Sequence, residues 1–287
     1  MPLFVLIVME PTHGDYDITE VESYEALSAW LEEFNAAPSV EDKAAILGEL
    51  LMNGHEGTTG YMTFGNNKVA RNTGIFNMNS ATDCPNADST EDNPTDTGVC
   101  QVPWAACYAH KAENIYADTL KKRRLQEYLW DEIDSPEIWA KAFRSVKRRK
   151  RSAFDYLRVS ESGDFRNRRD IEKWDKISDR LSGEIKVYTY SASHKLDWSD
   201  SENFTVNQSN DLAEYGDRSF TATYTDSNGD KQPIESPGDV PESMILCPFE
   251  AAKANGVATD ERPKCGECTH CIEPGETQPR DVAVIQH

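Results

Sequence analysis

Four cysteines near the end of the chain have the spacing of a metal site. Cys265, Cys268 and Cys271 recur with two residues between neighbours, and Cys247 precedes them in a Cys-Pro pair. Thiolates at this spacing can turn toward a common centre, and Gly266 eases the tight turn between the first two. The run is closer to ferredoxin-type cluster ligation than to a zinc ribbon, which uses two separated CxxC pairs. Three states stay open: an iron–sulfur cluster, structural zinc, or unligated thiols. His270 lies inside the run as a substitute ligand, although its expected direction is outward.

Cys84, Cys100 and Cys107 form an upstream group. Three thiolates leave a position for an exogenous ligand, as in a cluster with one open iron or a zinc site completed by His110 or water. The plainer reading makes one or two of them small buried apolar residues. Cys100 and Cys107 flank Pro103-Trp104 just ahead of a helical pattern, and Cys84 lies in an acidic, irregular stretch over 81–99.

Elements must bring these residues together. YLRVS (156–160), a turn at Gly163-Asp164-Phe165, a helix over 170–181 and IKVYTYS (185–191) read as a βαβ unit. Such a unit has parallel strands and gathers polar groups at the strands' C-terminal ends. There 160–164 would meet 191–194, and Arg158, Glu161, Asp164 and Tyr190 become candidates for a pocket mouth. Asp164 is placed to accept an amine or hydroxyl; an Arg–carboxylate pair closing the end of the sheet is the alternative. FTVNQ (204–208) reads as a third parallel strand, and 219–234 as a hairpin around 226–229. Upstream, 2–9 reads as a buried strand, 21–52 as two helices with Ser39 as an N-cap, and 61–79 as short strands. Helical pattern then fills 106–151, broken where Ser135 caps a helix that starts on Pro136.

The formal charge is −20, yet residues 121–180 hold 18 Lys and Arg against 12 Asp and Glu. Overall acidity argues against anionic partners, but the clusters at 121–124 and 147–151 make 121–151 either a solvated helix face or a site for nucleic acid or nucleotide. The acidic remainder suits a halophilic host. The apolar stretch 2–9 lacks a basic leader and is too short to span a bilayer, so a cytoplasmic protein that binds no membrane is expected, with thiols rather than disulfides.

Four segments, in this order, resemble the phage-borne "gene product 88" family of viral and plasmid proteins. They are NNKVARNTGIFNMNSATDCPNA (66–87) with the later Cys100, ACYAHKAENIY (106–116), LRVSESGDF with VYTYSAS (157–165 and 187–193), and the Cys247 and Cys265–Cys271 group. That family resembles radical S-adenosylmethionine enzymes, which implies a partial parallel (β/α) barrel. By this resemblance Cys84, Cys100 and Cys107 hold a [4Fe–4S] cluster whose open iron chelates S-adenosylmethionine. Ser162, Gly163 and Asp164 then line the cofactor pocket; on their place at the pocket mouth, read without the family, Asp164, Glu161 and Arg158 are the catalytic candidates and Tyr190 a further cofactor-binding one. The CxxxCxxC spacing of those enzymes is absent, and an acidic insertion over 86–97 separates the first two thiols.

The expected architecture is α/β: an N-terminal α+β extension (1–60), a partial-barrel core (61–246) and a C-terminal cysteine segment (247–287) that binds metal or a cluster. The expected function is an iron–sulfur, radical S-adenosylmethionine-like enzyme of viral or mobile-element origin, carrying one or two [4Fe–4S] clusters and acting on a nucleotide or nucleic acid. The alternatives are a zinc- or cluster-stabilised nucleic-acid-binding protein and an electron-carrying accessory protein.

Overall fold

The computed structural model describes residues 16–84, 107–149, 154–193, 195–209, 216–273 and 281–285. The strand expected over 2–9 lies outside them. Two helices come first, α1 (Tyr24–Ala36) and α2 (Val40–Asn53), with the Ser39 hydroxyl accepting from the Asp42 N–H at 3.0 Å. Then follow β1 (Thr63–Phe64), β2 (Thr73–Phe76), α3 (Tyr108–Ile115), α4 (Ala117–Glu132), α5 (Pro136–Arg149), β3 (Tyr156–Val159), α6 (Arg168–Leu181), β4 (Lys186–Ser191) and β5 (Thr205–Ser209). The chain continues with β6 (Arg218–Thr221), β7 (Thr223–Thr225), β8 (Lys231–Pro233), β9 (Ile245–Leu246), α7 (Pro248–Ala254) and β10 (Val282–Ala283). No described helix is long and apolar enough to cross a membrane.

Eight strands form one sheet in the order β1-β2-β3-β4-β5-β6-β10-β9; only β1 runs antiparallel to its neighbour. The parallel α/β expectation holds, as does the third parallel strand, which pairs Thr205 with Tyr188. Among the described residues the sheet is open, with β1 and β9 at its edges, and does not close into a barrel. The expected hairpin forms as β7–β8 with Asp226 and Gly229 in its turn.

From β2 to β6 each strand lies beside the one before it, so right-handed crossovers all move in one direction and place the helices on one face. Period-two alternation sends Leu157, Val159, Val187 and Val206 to that face. There they meet Ile171, Trp174, Ile177 and Leu181 of α6, spaced for one helix stripe and all fully buried. Phe76 is the hub of the cluster, its ring centroid 5.1 Å from Trp139 and 6.2 Å from each of Trp130, Phe143 and Trp174. Leu27, Leu31, Leu47 and Leu50 of α1 and α2 join the same core.

Lys173 is the anomaly in this apolar layer. It is 5% exposed, and its ammonium lies 3.6 Å from the Trp130 ring centroid and donates to the Trp130 carbonyl. Burial pushes its pKa down to about 7, against the pull of Asp134, Asp170 and Asp131. Above that value the native chain holds fewer protons than the unfolded one, so stability rises with pH from about 7 toward 10. Lys173→Met is expected to abolish that rise and to add about 1–3 kcal/mol at pH 6, measured by urea unfolding across that range.

Candidate functional site

The face of the sheet opposite the helices carries Arg158 of β3, Tyr188 and Tyr190 of β4, Asn207 of β5 and Arg218 of β6. Register aligns Tyr190 with Asn207 and Asn207 with Arg218, so these three form a row across the sheet. The cysteine segment lies over this row. The Cys265 N–H donates to the Lys68 carbonyl at 2.9 Å, and the Ala70 N–H donates to the Cys265 carbonyl at 2.7 Å. Asn207 Nδ2 donates to the Cys271 carbonyl at 2.9 Å, and Thr205 Oγ1 to the Ile272 carbonyl at 2.9 Å. Gly266 turns the chain at φ +98°, where a Cβ would stand 2.6 Å from Asn72 Oδ1 and 2.7 Å from Thr73 Oγ1. No other residue suits both that conformation and that clearance.

None of Cys247, Cys265, Cys268 and Cys271 is disulfide-bonded, and each is half-buried. The Tyr190 hydroxyl hydrogen-bonds both Cys265 and Cys271. Burial pushes the Cys271 thiol up to about 12, opposed by Tyr190 and by Arg218, with Cys265 and Cys247 adding to the rise. Burial also raises Cys265, against Arg158, with Cys268 adding to it. Cys247 is raised by burial too, and the Glu250 and Phe249 N–H groups at the start of α7 oppose this. Cys265 therefore lies in electrostatic reach of Cys247, Cys268 and Cys271, with Arg158 beside Cys265 and Arg218 beside Cys271.

The surroundings carry unmet hydrogen-bonding capacity. Arg218 is 7% exposed, and its Nε and Nη2 are buried with no hydrogen-bond partner, as are Tyr188 Oη and Asn207 Oδ1. An anionic group among the thiols would satisfy the Arg218 donors. The donor set thus fits a thiolate-ligated metal or cluster by its chemistry. Among the described residues, no three His, Cys, Asp or Glu side chains converge in metal-ligand geometry as placed. The expected cysteine-ligated metal site is therefore not formed among the described residues, where the four thiols stand near one another without a coordination sphere.

The polar residues expected at one pocket mouth occupy three places. Arg158 and Tyr190 belong to the thiol face, with the guanidinium 5.0 Å from the Tyr190 ring centroid. Asp164 is buried and accepts from Ser191 Oγ, the Ala192 N–H and the Phe165 N–H at 2.7 Å each, joining the ends of β3 and β4. Burial raises its pKa to about 6 against those donors. The loops after β3 and β4 meet here as expected; His194 lies outside the described residues. Glu161 instead stands beside Asn66. Gly163, at φ +70°, leaves no space for a Cβ beside Asn79, and Ser162 Oγ donates to Glu113 at 3.1 Å.

Glu113 carried no signal in the sequence, yet it organises the upstream group. It accepts from the Ala81 and Thr82 N–H groups at 2.8 and 2.9 Å, from Thr82 Oγ1 at 2.7 Å and from Arg123 at 2.6 Å. With the bidentate Arg124–Asp83 pair it fixes the turn that ends at Cys84, directly after β2. Cys107 sits at the N-cap of α3, and Cys100 lies outside the described residues. Among the basic clusters, Lys121 pairs with Asp118 and Glu22, Lys147 with Asp155, and Arg149 with Glu49. Lys150 and Arg151 lie outside the described residues.

The fold and this site define a mostly parallel α/β protein with a cluster of thiols against the sheet face that the helices leave open. The Gene product 88 family model matches residues 50–274, and the chain belongs to that phage family. No curated protein and no solved structure matches it.

Proposed function

We propose that the chain is a thiolate-ligated iron–sulfur protein, with Cys247, Cys265, Cys268 and Cys271 holding one group against the sheet and Cys84, Cys100 and Cys107 holding another after β2. The observation that carries this is the gathering of four thiols, none disulfide-bonded, between Arg158 and Arg218 on one sheet face. A four-iron cluster supplies one-electron chemistry, and an open iron accepts an exogenous ligand. This chain's own residues would set its surroundings: the single O–H of Tyr190 lies within reach of the Cys265 and Cys271 sulfurs, the arginines offset thiolate charge, and Asn207 and Thr205 fix the backbone of 271–272.

The finer reading is a radical S-adenosylmethionine-type enzyme acting on a nucleotide. Its support is positional: the Cys84 turn follows the first parallel strand of a sequentially ordered sheet, on the end where such sheets bind ligands. The alternative, a nucleic-acid-binding protein using 121–151, draws less support, because most described Lys and Arg of the two clusters already pair with the protein's own carboxylates.

Anaerobic purification with iron, sulfide and zinc analysis tests the proposal. About eight iron and eight sulfide per chain are expected, falling to about four in Cys265→Ser/Cys271→Ser and in Cys84→Ser/Cys107→Ser alike. Zinc without sulfide in the wild-type chain would overturn it.

A further inference from the structure

A cleft of about 570 Å³ opens beside β1 and the C-terminal ends of β2 and β3. Its walls are the turn Gly57–Tyr61, the first three turns of α4, and the strand ends at Thr63, Ile75, Asn77 and Glu161. The volume lies within the range of about 300–1,000 Å³ typical of small-molecule sites. None of the described cysteines lines it.

Two side chains of α4 in this wall have unused capacity. Within the cluster 121–124, Lys122 is the cation with no carboxylate partner among the described residues; its ammonium reaches only the Gly60 carbonyl and the Thr59 hydroxyl. Burial, with neighbouring Arg123, pushes its pKa down to about 8, so an anion beside it would be welcome. One helical turn on, Gln126 is 1% exposed. Its Nε2 is committed to the Tyr61 carbonyl at 2.7 Å, which fixes the orientation of the amide and leaves Oε1 buried without a partner. That oxygen needs an N–H or O–H donor.

Residues four apart on a helix face stand about 5–6 Å apart at Cβ. The missing ligand therefore presents an anionic group and a hydrogen-bond donor a few ångströms from one another. Glu161 also lines the cleft and adds negative charge to it, which favours a cationic donor. Asp118, at the start of α4, is already neutralised by Lys121 at 3.0 Å.

We infer that this cleft binds the zwitterionic head of an α-amino acid, its carboxylate against Lys122 and its ammonium against Gln126 Oε1 and Glu161. The cleft is larger than the head alone requires, so the ligand is an amino acid with a bulky side chain. The site is independent of the thiol reading.

The test titrates the full-length protein with each of the twenty L-amino acids by ligand-observed NMR. Any binder is followed by its decarboxylated amine and its deaminated acid. At least one amino acid is expected to bind, with each truncated analogue weaker by at least tenfold, and Lys122→Met and Gln126→Leu each weakening it by at least tenfold. Metal content and far-UV circular dichroism of both variants should match the wild type, which separates loss of this site from loss of the thiol groups or of the fold. Absence of any binder, equal binding of a truncated analogue, or binding undiminished in folded Lys122→Met would overturn the inference.

Discussion

Arg166→Met is expected to destabilise the protein by about 3–5 kcal/mol, because it leaves buried carboxylates without their cation. Arg166 donates to Glu127 at 3.0 Å, to Asp131 at 2.9 and 2.6 Å, and to both oxygens of Asp170 at 3.0 Å. Asp170 is 2% exposed and Glu127 4% exposed, so water cannot replace the guanidinium. Burial pushes Asp170 up, but Arg166 outweighs it and holds the carboxyl below its ordinary value. Glu127 is raised to about 7 by burial, with Arg166 and Tyr16 restraining the rise.

Signs follow from these shifts. A depressed Asp170 gives the wild type stability that is present above the unfolded carboxyl pKa and lost as pH falls through the folded one. Without Arg166 the shift reverses: the native carboxyls hold protons that the unfolded chain has released, and stability then falls as pH rises between about 4 and 8. Urea unfolding should therefore find the variant nearer to wild type at pH 5 than at pH 8. An equal deficit at both values would mean that Arg166 acts by packing alone.

Regular elements with a strong period are legible in the sequence. Ile171, Trp174, Ile177 and Leu181 announce α6, and the strands flanking it announce the parallel pair that it connects. Strand pieces of two residues, β9 and β10, carry no such signal; they exist because β6 offers an edge far away in the chain. The cysteine segment was legible as chemistry but not as a place. Only the alternation of β4, which puts Tyr188 and Tyr190 on one face, hinted at what would receive it.

Charge patterns misled in a different way. KKRR looks like one basic surface, yet a helix turns successive residues by 100° and sends its four cations to different partners. Arg123 goes to Glu113, Arg124 to Asp83, Lys121 to Asp118, and Lys122 alone to neutral groups in a cleft. Likewise Arg158, Glu161, Ser162 and Asp164 lie close in sequence. A strand end and a turn at Gly163 point them at four separate surroundings.

Glu113→Gln carries the other large effect, and it links stability to the upstream cysteines. The carboxylate accepts five hydrogen bonds, two of them from backbone N–H groups of the turn before Cys84. An amide keeps the shape but turns one acceptor into a donor facing donors, and it leaves Arg123, 7% exposed, without its counter-charge. A loss of about 2–4 kcal/mol is expected in urea unfolding. The turn 80–84 should also loosen, because it loses two backbone hydrogen bonds and the Thr82 hydroxyl contact, while the Arg124–Asp83 pair stays. If the two thiol groups hold separate clusters, as proposed, iron and sulfide should fall by about half in this variant, from the upstream group. Cys265→Ser/Cys271→Ser combined with Glu113→Gln should then remove nearly all of both. Full metal content in folded Glu113→Gln would show that the Cys84 turn does not depend on this carboxylate for its arrangement.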